Sequence, residues 1–489
     1  MIWKIAKKEF LLNLMTFKFA VGTILCVVLM AVFMPILAKD YEERLKTYNG
    51  NVARNKAELR KVKVYKNIIP TIYRPPSMLS AFSEGLEKRV GNSATIELDK
   101  VPEISAAAAR GNPYLSIFSV FDASLIFKIV ISVLAMLVAY DAVSGEREHG
   151  TLRLILANRT ARHQVLLGKL LAGLMVLVVP ITIAFIMGLV ILLSFPMVDL
   201  AGSDWIRIGL MYLASLIFIS AMYNIGLLFS CLARRSAISL VLGLFVWIVF
   251  VVVIPNGSVY LSAQILPPET AEKIEGQVAS IREAMSSEIS RGQPPRTGDW
   301  SESDTGDAFG NYYVKRCNKA FMEDNQKRYS FRTPLEIKYA DKFWEVENSY
   351  LSSLFGQKQL ADNLSRLSPI CLYDNAMSML AGTNIASFQS FIKGVKTHRN
   401  RIIDYIRSKT DNFSATSFFT TYTKEEMEQS PKNTADPPSL DLSDLPRFID
   451  KADIVEILRG VIPDLALLVF GNVLFFAMAF AAFVRYDVR

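Results

Sequence analysis

Six long apolar stretches constrain the fold of this 489-residue chain more than any other feature. Each is long enough to cross the hydrocarbon core of a bilayer, which takes roughly 17–25 helical residues. Half of the residues (51%) are hydrophobic and only 20% are charged, which excludes a disordered chain and argues against a soluble single-domain enzyme. We therefore predict an all-α polytopic membrane protein with six transmembrane helices. The stretches run approximately over Phe17–Leu37, Phe118–Tyr140, Val165–Phe195, Ile206–Leu232, Ile238–Pro255 and Val461–Val484.

The charges in the termini and short loops predict how the chain is oriented. Basic residues gather on one face, whereas the short loop between the third and fourth stretches carries Asp199 and Asp204. Short-loop Lys and Arg favour the cytoplasm, and long loops cross largely regardless of charge. Both termini are therefore expected in the cytoplasm. The basic residues on this face are Lys4, Lys7, Lys8, Lys18, Arg147, Arg153, Arg159, Arg162, Lys169, Arg234, Arg235, Arg485 and Arg489.

Two long polar insertions are consequently expected outside the cell membrane, the larger of them mainly helical. The net charge of +8 is a topology signal, and no nucleic acid partner is expected, because that would need a clustered basic face on a folded domain. The predicted segments are an amphipathic cytoplasmic N-terminus (1–16), the first transmembrane helix (17–38), a first extracytoplasmic domain (39–117), transmembrane helices two to five with a cytoplasmic loop at 141–164 (118–255), a second extracytoplasmic domain (256–460), and the sixth helix with a short tail (461–489).

Local patterns predict elements within both insertions. Apolar residues at near-helical spacing predict a helix over Lys39–Lys66, and the Pro75-Pro76 pair predicts an extended segment before it, over Ile68–Arg74. The amphipathic segment Leu367–Leu380 would lie either at the membrane interface or in an ordinary protein core. Further helices are predicted at Glu269–Ser290, Asn311–Tyr329, Leu335–Leu360 and Ile385–Ile406.

The sequence contains none of the common catalytic or nucleotide-binding motifs. The phosphate-binding pattern G-x-x-x-x-G-K-[ST] is absent, as are H-E-x-x-H and G-x-S-x-G. Three histidines and four cysteines are too dispersed to predict a metal site, and whether Cys317 and Cys371 pair stays open. We therefore expect no enzyme activity, metal or cofactor in this chain, and any ATP hydrolysis must occur in another polypeptide.

The loop between the second and third apolar stretches carries the most informative sequence. It contains the run S-G-E-R-E-H-G-T-L, followed by a segment with Arg159 and Arg162 and then by L-L-G-K. Such a charged turn at the inner membrane surface either only fixes topology or presents carboxylates and arginines to a soluble partner. Composition alone does not decide between these two interpretations.

This loop resembles the first cytoplasmic loop of the membrane subunits of type-2 ATP-binding-cassette (ABC) exporters. The six spans and the amphipathic segment Met1–Met15 also fit that family. The two insertions, with R-P-P-S-M-L-S-A-F-S-E-G-L-E-K-R and L-S-R-L-S-P, and the closing F-V-R-Y-D-V-R look like a branch with enlarged extracytoplasmic domains.

The resemblance implies a coupling helix that docks on a separate ABC ATPase, which binds ATP and magnesium. It implies a second permease as a partner, either a copy of this chain or a related paralogue, and the bacterial inner membrane with its lipid as the location. The residues that match the coupling loop are Glu146, Arg147, Glu148, Gly150 and Thr151.

Ionisable residues inside predicted spans are the second set of candidates, because charge within a bilayer is costly. Lys128 either extends its stem outward to the interface or faces a transport path or a carboxylate from another span. Asp122 and Asp464, both near the outer membrane face, are the predicted carboxylate partners.

Two functions fit these features. The first is the permease of an ABC exporter, whose cargo the sequence does not specify. The second is a mechanotransmitter, whose outward domains act on a periplasmic or envelope partner while nothing crosses, since a simple pore does not need such large insertions. A receptor or intramembrane enzyme is disfavoured because no catalytic constellation is visible.

Overall fold

The computed structural model describes residues 2–105, 122–157, 161–267, 269–297, 304–308, 311–316, 319–418, 439–449 and 454–485. Cys317 and Arg159 therefore lie outside the described residues, as does the start of the second predicted span at residues 118–121. Cys371 carries a free, buried thiol.

In the part of the chain that the structure describes, six helical segments are long and apolar enough to span a membrane, which confirms the predicted polytopic all-α class. The first and fifth helices extend well past their apolar runs. The spans are Phe17–Leu59, Ala123–Glu148, Arg162–Leu193, Gly202–Leu232, Ser236–Ile265 and Ile454–Val484.

Helix α1 (Ile2–Leu14) precedes the first span, α2 (Phe17–Leu59). The second span comprises α3 (Ala123–Ile126), a π-helical turn (Phe127–Ile131) and α4 (Ser132–Ala139). Two short helices, α5 (Ser144–Glu148) and α6 (Thr151–Ala157), then lead into α7 (Arg162–Leu193) and α8 (Gly202–Leu232). The fifth span comprises α9 (Ser236–Ile248), a second π-helical turn (Val249–Val253) and α10 (Ile254–Ile265).

Close packing holds the third and fourth spans together. A Cβ atom built on Gly173 of α7 would lie 2.1 Å from the ring of Tyr223 on α8, so only glycine allows this approach. The hydroxyl of Tyr223 donates a hydrogen bond to the carbonyl oxygen of Lys169, one turn away on α7. The fifth span is the least buried of the six and leaves most of its apolar surface exposed.

The first insertion is built on the far end of α2. Asn55 on this helix bonds both the N–H and the C=O of Thr71, the first residue of strand β1 (Thr71–Tyr73). Strand β1 pairs antiparallel with β2 (Ser93–Thr95), which pairs with β3 (Glu103–Ser105). The predicted helix over Lys39–Lys66 is therefore a continuation of the first span, and the extended segment around Ile72 is confirmed.

The second insertion is mainly helical, as predicted. It contains α11 (Ala271–Gly292), a hairpin of β4 (Asp304–Ala308) and β5 (Asn311–Arg316), the long α12 (Lys319–Ser365), α13 (Pro369–Ala381) and α14 (Ile385–Lys409). The prediction of a helix beginning at Asn311 was wrong, since Asn311–Arg316 pairs as a strand. The sixth span, α15 (Ile454–Val484), follows the insertion.

Helix α13 lies among the spans rather than at an interface. Tyr373 stacks on Phe218 of α8 with ring centroids 4.5 Å apart, and its hydroxyl lies 3.1 Å from that of Ser215. Gly460 of α15 touches Met379 on the other side. Of the two interpretations of this amphipathic segment, the structure supports a core helix. Through α13, the second insertion packs into the bundle of spans.

Candidate functional site

The predicted coupling residues lie on α5 and α6, which we call the coupling segment (Ser144–Ala157). Gly150, between the two helices, has a φ of +72°, a left-handed conformation that glycine adopts without strain. The Thr151 hydroxyl bonds the Glu146 carbonyl oxygen across this turn. The sequence therefore folds locally into two short helices joined by a tight bend.

Glu146 is part of a buried cluster of charges that joins three helices. Its carboxylate lies 2.8 Å from the ammonium of Lys169 on α7, and Glu9 on α1 lies 3.3 Å from the same ammonium. The Lys169 side chain is only 3% exposed. A buried charge is tolerated when it is paired, so this lysine fixes the coupling segment and α1 against the third span.

Arg147 joins the coupling segment to the end of α8. Its guanidinium donates to the carbonyl oxygens of Ala233 (2.8 Å) and Cys231 (3.1 Å). The last carbonyl groups of a helix lack partners within the helix and carry partial negative charge, which a cation there satisfies.

Glu148 performs the complementary role at the start of α9. Its carboxylate accepts hydrogen bonds from the Ser236 N–H (3.1 Å) and hydroxyl (2.9 Å). A carboxylate at a helix N-terminus satisfies free N–H groups and interacts favourably with the helix dipole. Three consecutive side chains thus connect one short helix to α1, α7, α8 and α9.

The remaining predicted coupling residues face away from the protein. Gly150 and Thr151 are exposed, as are the neighbouring His149 and Arg153, and the Leu154 side chain is 69% exposed. Leu152 between them is buried. The coupling segment therefore has an inner face that anchors it and an outer face that offers an apolar side chain flanked by polar ones.

On the opposite side of the bundle, the three predicted intramembrane residues line a single cavity of about 480 Å³. We call it the outer cavity and define it by Asp122, Lys128, Arg366, Asp374 and Asp464. Two of these residues, Lys128 and Asp464, lie on spans, and Asp122 lies at the start of the second span. The second insertion supplies Arg366 and Asp374.

The carboxylate that pairs with Lys128 was not among those predicted. The Lys128 ammonium lies 3.0 Å from Asp374 on α13. Asp464 instead pairs with Arg366, at 2.7 Å. Asp122 caps α3, accepting from the Leu125 N–H (2.9 Å) and the Ser124 hydroxyl (2.8 Å). The prediction of Asp122 or Asp464 as the direct partner of Lys128 was therefore wrong.

Lys128 lies within the π-helical turn of the second span. Such turns insert an extra residue into a helix and are frequent at functional sites. Each of the two ion pairs joins a span to the second insertion. Sequence reasoning missed Arg366 and Asp374 because they belong to the insertion, although they flank the L-S-P run that opens α13.

Comparison with protein families identifies a match over nearly the whole chain. A family model described as ABC-2 family transporter protein matches residues 3–488, nearly the whole chain. No curated protein matches the chain. The match includes the coupling segment, all six spans and both insertions.

Proposed function

Because the chain belongs to the ABC-2 family of transporter membrane proteins, it is the permease component of an ABC transporter, and we propose that it is an exporter driven through its coupling segment by a separate ATPase subunit. In this arrangement the ATPase docks on the outer face of the segment, around Thr151 and Leu154. Glu146 and Arg147 on the inner face, together with the exposed Glu148 beside them, convey the resulting movement to the spans.

The connection of α5 to four helices is the observation that carries this proposal. A displaced α5 would pull on α7 through Lys169, on the end of α8 through Arg147 and on the start of α9 through Glu148. All three contacts involve a charged group, and charge-assisted hydrogen bonds are shorter and stronger than neutral ones. A loop that only fixed topology would not need anchors of this kind.

ATP and magnesium would be bound by the ATPase subunits. The sequence of the permease has no phosphate-binding loop, which agrees with a division of labour between membrane and ATPase subunits. The basic short loops favour a bacterial inner-membrane location with the coupling segment and both termini in the cytoplasm. The permease would pair with a second copy or a related permease within the lipid bilayer.

The second function, mechanotransmission, is favoured by the ion pairs of the outer cavity. Asn224 of α8 bonds Asn472 of α15 at 3.0 Å, and the same α15 carries Asp464, which pairs with Arg366. Polar contacts therefore join the coupling segment to α8, α8 to α15, and α15 to the second insertion. Movement of the spans would reach that insertion whether or not cargo crosses.

Docking on the coupling segment is tested by Leu154→Glu. The matched control is Leu367→Glu, which makes the same change at a side chain that is 78% exposed between α12 and α13, on the other side of the bundle. Each affinity-tagged variant is purified from native membranes in detergent, and the bound chains are identified by mass spectrometry.

We expect an ATPase subunit with a phosphate-binding loop to copurify with the unmodified chain and the Leu367 control. Its recovery should fall about tenfold with Leu154→Glu, because a carboxylate then replaces an apolar docking group. If no ATPase copurifies with the unmodified chain, the proposal fails. Equal recovery of the ATPase with both variants would show that Leu154 is not part of the docking face.

A further inference from the structure

A second cavity, of about 780 Å³, lies in the insertions and plays no part in the coupling argument. We call it the distal groove. It runs between the far end of α2 (Tyr48–Arg60), the strand region 70–75 and the extended segment 439–449. The face of α2 that lines it, from Tyr48 to Leu59, is about 16 Å long at 1.5 Å per residue. Its volume is in the range of small-ligand sites, roughly 300–1,000 Å³.

Half of the residues that line the distal groove are apolar side chains or prolines. Side chains from α2, β1 and the extended segment contribute, and the three prolines among them have no N–H group to donate. The apolar residues and prolines are Val52, Leu59, Ile72, Leu440, Leu442, Leu445, Phe448, Pro70, Pro75 and Pro446.

Several backbone donors along these walls are already occupied. The Thr71 N–H donates to Asn55, and the Leu440 N–H donates to the Val62 carbonyl oxygen at 2.8 Å. The Ser443 N–H donates to the Asp441 carboxylate. A peptide lying along these occupied groups would leave some of its own main-chain groups without partners, at a cost of about 1–3 kcal/mol each. An acyl chain has no polar groups to satisfy, so these walls favour it.

Cations concentrate at the groove. Lys56 lies on the last turn of α2 and Arg60 is the residue that caps its end, and Arg447 lies on the extended segment, whereas Asp441 is the only carboxylate among the described residues of the lining. Within the described residues, none of the three cations has an ion-pair partner. An anionic group entering the groove would therefore meet available positive charge.

His398 supplies a buried polar atom in the same cavity. Its side chain is 4% exposed, and among the described residues its Nδ1 atom has no hydrogen-bond partner. Phe448 packs edge-on against the imidazole with ring centroids 5.7 Å apart, which fixes the ring beside the apolar wall. A buried polar atom without a partner is costly, and a ligand could supply the missing hydrogen bond.

We propose that the distal groove binds a single-chain anionic lipid, with its acyl chain along the apolar walls and its carboxylate or phosphate group held by Lys56, Arg60 and Arg447. The inference does not depend on the ATPase, because the groove is complete within this chain.

Photocrosslinking of the full chain in phosphatidylcholine nanodiscs tests the proposal. Three probes carry the same diazirine-labelled acyl chain: a fatty acid, a lysophosphatidylglycerol and an uncharged monoacylglycerol. Labelled peptides are mapped by mass spectrometry. We expect at least one anionic probe to label 48–60 and 440–448 more strongly than the uncharged probe does, and the stronger of the two identifies a carboxylate or a phosphate head.

Substitutions then distinguish lipid binding in the groove from general contact with lipid. The pair Lys56→Gln and Arg60→Gln should lower labelling of the groove about tenfold, since two charge-assisted contacts are lost. Arg54→Gln is the matched control, because Arg54 is exposed on the same helix and does not line the groove. Val52→Trp should also lower labelling, because it fills the groove from an exposed position.

Labelling confined to the spans would overturn the proposal, as would equal labelling by the uncharged probe or an equal effect of the Arg54 control. Because the altered side chains are exposed or at the groove surface, we expect each variant to fold. The elution volume of each variant checks this. Copurification of the ATPase is measured in parallel, so failure of lipid binding and failure of the coupling proposal are distinguishable.

Discussion

The ammonium group of Lys169 lies between two carboxylates, 2.8 Å from Glu146 and 3.3 Å from Glu9. It joins the third span to the coupling segment and to the N-terminal helix at one buried point. Both acids lie within charged stretches of the sequence that resemble ordinary solvent-exposed surface. The sequence therefore indicates which segment is important here, whereas only the fold shows that Glu146 faces inward.

Lys169→Met should strongly destabilise the protein, because it leaves two carboxylates without their shared cation. Breaking a buried ion pair from one side costs about 3–5 kcal/mol. Thermal unfolding in detergent measures the loss, and adding Glu146→Gln to Lys169→Met should recover part of it. Lys18→Met is the matched control, since the Lys18–Asp141 pair is more exposed (23% and 35%) than Lys169 and its loss should cost less. Similar losses for the two lysines would contradict the buried-cluster account.

Arg147→Lys should separate docking of the ATPase from transmission of its movement. Lysine keeps the positive charge but cannot donate from a planar fork to the two carbonyl groups at the end of α8. We expect the ATPase to copurify normally, while ATP-dependent changes in hydrogen exchange of α8 are lost. Arg153→Lys, at an exposed position of the same segment, should leave those changes intact. An unchanged response in the Arg147 variant would show that this contact transmits nothing.

How far the sequence predicts the fold differs between the membrane and the insertions. The spans follow from length and hydrophobicity alone, because a bilayer requires about 20 apolar residues per helix. The strand Asn311–Arg316 was predicted as helix, although its two tyrosines and its valine are residue types that favour strands. The position of α13 was left open, because an amphipathic pattern does not state what covers its apolar face.

The candidate sites show the same division. Lys128 could be selected from the sequence because a charge inside a span is conspicuous. Its partner Asp374 is an unremarkable acid more than 200 residues later, and only the insertion of α13 between the spans brings the two together. The anchoring roles of Arg147 and Glu148 likewise depend on where α8 ends and α9 begins.

The Arg366–Asp464 pair should transmit movement between the sixth span and the second insertion. Asp464→Arg alone places two cations together and should abolish ATP-dependent changes in hydrogen exchange of α12 and α13. Combining it with Arg366→Asp reverses the pair and should restore them. The matched control is the same exchange at Arg407 and Asp404, an exposed pair on α14. Failure of the reversed pair to restore the response, in a variant that folds normally, would argue against mechanical coupling through this contact.

His398 should make the second insertion sensitive to mild acid. Burial, with a smaller contribution from the nearby Arg401, lowers the pKa of His398 from its ordinary 6.5 to about 4. Above pH 6.5 both the folded and unfolded chains carry a neutral imidazole, and the stability contributed by this difference is fully present. As the pH falls below 6.5 the unfolded chain binds a proton that the folded chain excludes, so stability is lost until the folded group also titrates near pH 4.

The expected loss is about 2 kcal/mol at pH 5 and about 3 kcal/mol near pH 4. It is measured as the change in hydrogen exchange of α14 between pH 7 and pH 5, corrected for the intrinsic rate. His398→Phe keeps an aromatic ring against Phe448 and should remove this part of the pH dependence. His163→Phe, at an exposed histidine at the start of α7, should leave it unchanged. An unaltered pH profile in His398→Phe would show that another group controls the acid sensitivity of α14.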